Sequence, residues 1–303
     1  MRKKQKQWNL DRGAGDTAFR IVNAALFILF SVICAFPFYY LFINTISDND
    51  LVGRGLITLL PKGIHFNNYF MLKYVKDLFG SVLVTVIRTV LGTATMVIAC
   101  TFTGYIVSNR KLWMRKFLYR FLIIPMYFNA GLVPWYLNML SLGLTNNFMA
   151  YIIPGLLVPF NIILVKTYIE SIPSDLYESA SIDGAGIMTI FIRIILPLSL
   201  PILATIAIFG AVGNWNSFQD SLILMQSNPK MFTLQHRLYN YLTSSTNLEA
   251  MMRAGTNSDV KNTLNVRVVQ YTISMVSIIP IILVYPFMQR YFVKGIMMGA
   301  VKG

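Results

Sequence analysis

The sequence predicts an all-α membrane protein with six transmembrane helices. Of the 303 residues, 55% are hydrophobic and only 13% are charged, whereas soluble globular proteins carry about 25% charged residues. Six segments are long and apolar enough to cross a hydrocarbon core about 30 Å thick, which needs about 20 residues. The Lys and Arg residues lie between these segments rather than on a polar domain. This pattern excludes an ordinary cytosolic enzyme and a nucleic-acid-binding domain.

The predicted spans are residues 21–45, 80–107, 117–140, 148–169, 198–225 and 266–292. The first follows a polar arm and has no small-residue cleavage site, so we expect a permanent helix rather than a signal peptide. Prolines lie in the third span (Pro125 and Pro134) and in the fourth (Pro154 and Pro159), so kinked or broken helices are expected there. Cys34 and Cys100 both lie in apolar runs and are expected to be small hydrophobic residues rather than a disulfide.

Between and around these spans, the chain divides into four parts. They are a basic N-terminal arm (1–20), a first span with its outer loop (21–76), a core of five spans (77–292) and a C-terminal tail (293–303). Placing the N-terminus inside puts most of the 26 Lys and Arg residues in cytoplasmic segments, so both termini are expected in the cytoplasm. The long polar loops 47–79 and 226–265 then face outward, and the second is large enough to contact a soluble protein.

The cytoplasmic segment 170–197 is predicted to form a helical elbow rather than a simple connector. Ser174 favours a helix start as the N-cap, and Asp175 and Glu178 then lie near the positive end of the helix dipole. The helix is expected to end at Gly184, because glycine adopts positive φ at little cost. A second helix then leads back into the membrane.

This segment resembles the EAA motif of ABC importer permeases. Glu178, Ser179 and Ala180 are followed after three residues by Gly184 and after nine more by Ile194, with Leu196 and Pro197 closing the pattern. Ser179 is the one departure, a small residue in place of alanine. The six-helix arrangement and the outer loop before the last span resemble the second permease subunit of maltose-type carbohydrate importers, which have the type I ABC importer permease fold. The arm and the tail most resemble the branch that imports oligosaccharides and uronate glycans.

The resemblance implies a mechanism. In this family the elbow is a coupling helix seated in a cleft of a cytoplasmic ATPase, and closure of the ATPase dimer switches the bundle between inward- and outward-facing states. Glu178 would supply a polar contact, Ala180 close packing and Gly184 the turn. The coupling set implied by the motif and its flanks is Glu178, Ser179, Ala180, Asp183, Gly184, Ile194, Leu196 and Pro197. The tail residues 297–303 are expected to reach the ATPase interface.

The resemblance also implies partners. A second homologous permease subunit would complete a heterodimer, two ATPase subunits would bind ATP and Mg, and an extracytoplasmic solute-binding protein would dock on the outer loops. The chain itself contains no Gly-rich phosphate loop, so no cofactor is expected on it. The branch resemblance and the outward-side Lys and Arg favour an acidic, alginate-like oligosaccharide, although lipid headgroups also explain those charges.

Polar residues inside the spans are candidates for the translocation path. The fifth span contains Asn214, Trp215, Asn216 and Gln219, whose aromatic and amide groups suit sugar binding. Contacts between helices, or a place at the outer interface, explain this cluster equally well. Asn129 and Asn161 could line the same path, but packing is favoured for both. Arg88 and Arg120 lie near helix ends and are expected to snorkel towards the membrane surface.

The alternatives to a sugar transporter are a membrane-embedded enzyme, a channel or scaffold, and a transporter of another substrate. A membrane-embedded enzyme acting on a glycan or lipid needs paired carboxylates or His/Asp clusters, and Asp220 is the only acidic residue within a predicted span. His65 and His236 lie in separate loops without carboxylate or cysteine neighbours, so no metal site or catalysis is expected. A channel or scaffold would need no coupling elbow. A transporter of the same class with a non-sugar substrate remains open.

Overall fold

The computed structural model of the chain describes residues 14–75, 77–109, 112–243 and 266–300. Within this part of the chain every regular element is a helix, and the all-α membrane class is confirmed. Most of the predicted N-terminal arm, Arg110 and Lys111 of the basic loop, the outer-loop residues 244–265 and the last three residues of the tail lie outside the described residues. For residues 287–300, only the helical backbone is described.

The described helices, in chain order, are α1 (Ala14–Thr45), α2 (Asn49–Gly53), α3 (Asn67–Met71), α4 (Leu78–Ser108), α5 (Arg115–Tyr127), α6 (Leu132–Ser141), α7 (Pro159–Glu170), α8 (Asp175–Ile182), α9 (Ile187–Ile190), α10 (Leu196–Leu198), α11 (Leu200–Asn216), α12 (Gln219–Leu224), α13 (Leu234–Thr243) and α14 (Val266–Ala300). Short 3₁₀ turns cover Leu72–Tyr74, Phe148–Tyr151, Ile153–Gly155 and Pro229–Met231, and one π-helical turn covers Phe191–Ile195.

The described chain forms two compact units, and the first comprises residues up to Phe70 together with the start of α14 as far as Met275. The segment that follows α1 folds back on itself. Asp48 caps α2 by accepting hydrogen bonds from the backbone of Asp50 and Leu51 at 3.0 and 3.2 Å. A small core of Ile43, Val52, Ile57 and Val268 closes the unit, so the first part of the predicted outer loop is folded.

The second unit is built around α4, which packs against α7 and α11. Small residues let these helices approach closely. A Cβ atom at Gly104 would lie 2.9 Å from Cγ1 of Val165, and one at Gly210 would lie 2.6 Å from Cε of Met96. The core between the helices is apolar and includes Cys100, Ile162 and Ile206. Helices within lipid associate through close packing on small residues, because the hydrophobic effect does not drive apolar helices together in an apolar solvent.

Three helical segments in the described chain can each cross a membrane by length and composition: Gly15–Thr45, Leu78–Ser108 and Val266–Pro286. Two bent pairs raise this number to five if each pair is one span. The pair Phe148–Gly155 and Pro159–Glu170 bends by 44°, and the pair Ile187–Leu198 and Leu200–Asn216 bends by 77°.

The third predicted span, 117–140, is not one helix. It consists of α5 and α6, separated by residues 128–131. The breaks predicted from the prolines of the third and fourth spans are confirmed, because both spans are interrupted. The fifth predicted span is shorter than expected: α11 ends at Asn216, and residues 219–224 form the separate helix α12.

Candidate functional site

The predicted elbow is a short helix, α8, closed by a tight C-terminal turn. Gly184 has a φ of +78°, a conformation that costs an L side chain about 1–2 kcal/mol. Its N–H donates to the carbonyl of Ser181 at 3.1 Å, and the N–H of Ala185 donates to that of Ala180 at 2.9 Å. These two bonds form a Schellman motif. The predicted end of the helix is therefore observed with its expected mechanism.

The beginning of α8 differs from the expectation in one detail. Ser174 occupies the N-cap position, but its backbone is helical and its side chain makes no capping hydrogen bond. Asp175 and Glu178 lie in the first turn, as predicted. Carboxylates in the first turn favour the helix through the positive end of its dipole, so acidic residues rather than a hydroxyl cap favour this terminus.

One face of α8 packs on the protein and the other is exposed. Tyr177 and Ala180 pack against the apolar core of the second unit, so Ala180 contacts its own chain. Ile182 is 86% exposed, and Glu178, Ser179 and Asp183 are exposed beside it. This face of α8 therefore presents one isoleucine and two carboxylates on the surface of the chain.

The segment after α8 is fixed to α4. The ring of Phe191, in the π-helical turn, stacks on Tyr105 of α4 with centroids 4.8 Å apart. The Tyr105 hydroxyl donates to the carbonyl of Ile187 at 3.1 Å. Ile194 and Leu196 pack against the same core, whereas Pro197 is exposed. The motif therefore divides into the largely exposed helix α8 and a following segment whose Ile194 and Leu196 are half-buried against the core.

A cavity of about 850 Å³ lies beside α8. Its walls include Tyr105, Trp113, Glu170, Tyr177 and Glu178. Burial raises the pKa of the Tyr177 hydroxyl to about 12, with a smaller effect from Tyr105, so this phenol is uncharged at neutral pH beside the two glutamates of the walls. Trp113 is 87% exposed, which leaves an indole at the rim of the cavity.

Glu170 joins the helices around this cavity through two basic residues. Its carboxylate pairs with Arg115 at the start of α5 and with Lys166 on its own helix, the latter at 2.7 Å. The Arg115 Nε also donates to the carbonyl of Val107 at 3.1 Å. These contacts connect the ends of α4, α5 and α7 next to the coupling segment.

Three of the candidate path residues hold helices together. Asn214 Nδ2 lies 3.4 Å from Thr93 Oγ1, and the Trp215 indole donates to the Ser277 carbonyl at 2.9 Å. Asn161 is 3% exposed, and its amide contacts the sulfur of Met96 at 3.3 Å. Asn216, Gln219 and Asn129 are instead exposed. Asn216 and Gln219 flank the junction of α11 and α12, while Asn129 lies in the break between α5 and α6.

The structure overturns the expectation that Arg88 snorkels. The Arg88 side chain is 3% exposed and pairs with the Asp220 carboxylate. It also donates to the Ser217 carbonyl at 3.1 Å and lies over the Tyr151 ring at 4.6 Å. The physical reason is that the carboxylate of Asp220 balances the charge of Arg88 inside the bundle, so the side chain need not reach the membrane surface. The sequence signal was Asp220 itself, the lone acidic residue in a span.

More polar contacts fix the segment that follows α12. The Thr85 hydroxyl accepts a hydrogen bond from the Leu234 N–H at 2.8 Å, and Arg237 Nε donates to Ser81 Oγ at 3.1 Å. His236 Nδ1 lies 2.9 Å from Ser221 Oγ. Burial and then the neighbouring Arg237 lower the pKa of His236 to about 4, so its ring is neutral at pH 7. The beginning of the second outer loop is thus attached to α4.

Broken spans, a buried ion pair between helices and an exposed helix between two spans are all compatible with a membrane transport permease. A sequence model of the family described as the binding-protein-dependent transport system inner membrane component matches residues 100–298. The chain belongs to this family.

Similar proteins include permeases of carbohydrate importers. The polygalacturonan/rhamnogalacturonan transport system permease protein YtcP of Bacillus subtilis (strain 168) is 32% identical over 94% of this chain and 98% of that protein. The arabinooligosaccharides transport system permease protein AraQ of Halalkalibacterium halodurans is 28% identical over 91% of this chain and 94% of that protein. A crystal structure of a bacterial ABC transporter involved in the import of the acidic polysaccharide alginate contains a chain that is 31% identical, with a TM-score of 0.83 over 92% of this chain and 98% of that one.

These comparisons confirm the predicted class. The chain is a multi-pass permease subunit of an ATP-driven importer, and it works with an ATPase and a solute-binding protein. It is a transport subunit rather than an enzyme, and the membrane-enzyme alternative is not favoured.

Proposed function

We propose that this permease imports an acidic oligosaccharide across the cytoplasmic membrane by alternating access. The names of similar proteins support the substrate class. One names a polygalacturonan/rhamnogalacturonan transport system, and the other describes an importer of the acidic polysaccharide alginate. The Lys and Arg residues of the outward-facing segments are consistent with attraction of a polyanionic glycan. Both termini lie in the cytoplasm in this proposal.

The exposed face of α8 is the observation on which the coupling role depends. Ile182, Glu178 and Asp183 form a small apolar and acidic surface on a helix whose other face is packed against the apolar core of the second unit. A cleft in a cytoplasmic ATPase subunit receives this surface. Because the base of the elbow is fixed to α4, movement of the ATPase is transmitted to the spans.

The complete importer contains four further subunits. A second homologous permease completes a heterodimer, two ATPase subunits hold ATP and Mg, and an extracytoplasmic binding protein docks on the outer loops, chiefly 226–265. Of that loop, the structure describes residues 226–243. This chain binds no cofactor, and its tail residues 297–303 extend towards the ATPase dimer.

The exposed amides are the best candidates for the path. Asn216, Gln219 and Asn129 can meet a sugar hydroxyl, whereas Asn214, Trp215 and Asn161 act first in packing. A non-sugar substrate is the remaining alternative. Measuring the uptake of oligosaccharides by the reconstituted complex decides between a sugar and a non-sugar substrate.

The coupling role is tested with Gly184→Pro and Glu178→Lys in the complete transporter. Proline fixes φ near −65°, so the turn at Gly184 cannot form, and lysine reverses a charge on the exposed face. Both variants should lose co-purified ATPase and ATP-driven oligosaccharide uptake in proteoliposomes. Gly184→Asn, which tolerates positive φ, should keep most activity. Asp50→Lys on α2 is the matched charge reversal away from α8. Retention of the ATPase by both α8 variants at the level of Asp50→Lys would defeat the coupling role.

A further inference from the structure

The break between α5 and α6 opens a cleft on the second unit. Residues 128–131 interrupt the helix, and the cleft beside them has a volume of about 730 Å³. Tyr127, Asn129, Trp135 and Asn138 contribute its aromatic and amide walls. Tyr127 is 87% exposed, and both asparagines are exposed as well.

The depth of this break restricts what can cover it. The 13 residues of α5 span about 20 Å at 1.5 Å per residue, which is less than the hydrocarbon thickness of about 30 Å. Backbone outside a helix is tolerated at such depth only where protein covers it or where it lines a water-filled cavity. With Arg115 at the membrane surface, residues 128–131 would therefore face protein or a water-filled cavity, and the exposed amides are consistent with an aqueous path.

Contacts within the chain hold two walls of the cleft in place. Trp135 packs against the apolar cluster of Met139 and Leu144, which fixes the orientation of its indole. The Asn129 side chain accepts a hydrogen bond from the Gly131 N–H at 2.9 Å, so its oxygen is engaged and its NH₂ group remains as a donor. The residues that line the cleft include no Asp, Glu, Lys, Arg or His.

We propose that this cleft is a subsite of the translocation path that takes the neutral face of one pyranose ring. The aromatic rings provide an apolar surface with a polar tip, and the amides of Asn129 and Asn138 supply donors and an acceptor for hydroxyl groups. The absence of charged lining residues means that the carboxylates of an acidic glycan point away from this subsite. This inference rests on the proposed function and locates one part of its path.

Cysteine accessibility tests the position of the cleft without reference to any substrate. In the complete transporter, with Cys34 and Cys100 replaced by alanine, Asn138→Cys is exposed to a charged, membrane-impermeant methanethiosulfonate reagent. Vanadate traps the outward-facing state. Leu137→Cys on the same helix is the matched control, because Leu137 is 56% exposed but does not line the cleft. We expect labelling at position 138 and none at 137. No labelling at position 138 would show that the partner permease covers the cleft, and would overturn the proposal.

Alginate tetrasaccharide then tests the ligand class. It should slow labelling of Asn138→Cys about fivefold, and Asn138→Ala should raise the KM for uptake by a similar factor, as expected for the loss of one hydrogen bond. Leu137→Ala should leave the KM unchanged. Labelling that the sugar does not slow, in a complex that imports it, would overturn the subsite while the proposed function stands. A wild-type complex that imports no oligosaccharide would instead defeat the proposed function, and the subsite with it.

Discussion

Arg88 lies on α4 at a depth where an isolated guanidinium group would be costly. Its charge is balanced by Asp220, and the Ser217 carbonyl and the Tyr151 ring add further contacts. The position of Arg88 near a helix end favoured snorkelling. The sequence shows that a charge is present, but it does not show which residue of another helix lies opposite. Asn161 illustrates the reverse case, since its predicted role in packing agrees with its 3% exposure.

Breaking the Arg88–Asp220 pair is expected to destabilise the permease. Arg88→Met leaves a buried carboxylate without its partner, which costs about 3–5 kcal/mol. The double variant Arg88→Met/Asp220→Asn should recover part of that loss, because both charges are removed. Thermal unfolding of the purified complex measures both effects. Arg120→Met is the control, because Arg120 is exposed, and equal unfolding temperatures for Arg88→Met and Arg120→Met would contradict the assignment.

His236 is expected to make stability depend on pH. Its folded pKa of about 4 lies below the ordinary value of 6.5, so the unfolded chain binds a proton more readily than the folded one. Stability should therefore fall as the pH drops from about 6.5 towards 4. His236→Asn keeps a group that can pair with Ser221 but does not titrate, so its unfolding temperature should change less between pH 7 and pH 5. An unchanged pH dependence in this variant would exclude His236 as the cause.

At the scale of single elements, local signals predicted α8 well. Its acidic first turn and Gly184 act on backbone groups that are close in sequence, so their effects can be predicted from the sequence. The breaks in the third and fourth spans were also expected, because prolines in both spans disfavour a continuous helix. Proline alone does not locate a break, since Pro37 lies within the continuous helix α1. The bend of 77° at Ser199, between α10 and α11, was not predicted.

Two glycines on the faces of α4 and α11 should respond differently to alanine. A Cβ at Gly104 meets Val165 Cβ at 3.0 Å and the Ile162 carbonyl at 3.2 Å, whereas one at Gly210 meets only side-chain atoms, chiefly the flexible end of Met96. Gly104→Ala should therefore destabilise by about 1–3 kcal/mol through overpacking. Gly210→Ala should cost less, because Met96 can move and alanine favours the helix.

Thermal unfolding of the two alanine variants compares these costs directly. The double variant Gly104→Ala/Val165→Ala should recover stability relative to Gly104→Ala, because it removes the branched side chain that the new Cβ meets. Equal effects at the two glycines, or no recovery in the double variant, would contradict the packing described for α4 and α7.

For the whole molecule, hydropathy predicted the fold class and the approximate positions of five spans. It did not predict which polar residues face a path and which join helices, because that depends on helix rotation. Asn214 and Asn216 are two residues apart on α11, yet one contacts Thr93 and the other is exposed. A period of 3.6 residues places such neighbours on different faces, and only tertiary packing decides which face is buried.

The distribution of charge over the whole molecule leads to a prediction about substrate choice. The Lys and Arg residues of the outward-facing segments raise the local concentration of polyanions, and this attraction weakens as the Debye length falls from about 10 Å at 0.1 M salt to about 3 Å at 1 M. Uptake of an alginate tetrasaccharide should therefore exceed that of maltotetraose, and the KM for the acidic sugar should rise with salt. Uptake by proteoliposomes that contain the complete transporter and its binding protein measures both. Neutral lipid in the vesicles removes headgroup charge as a cause. Equal uptake of the two sugars would point to a neutral substrate, and a KM independent of salt would assign the basic residues to lipid contact.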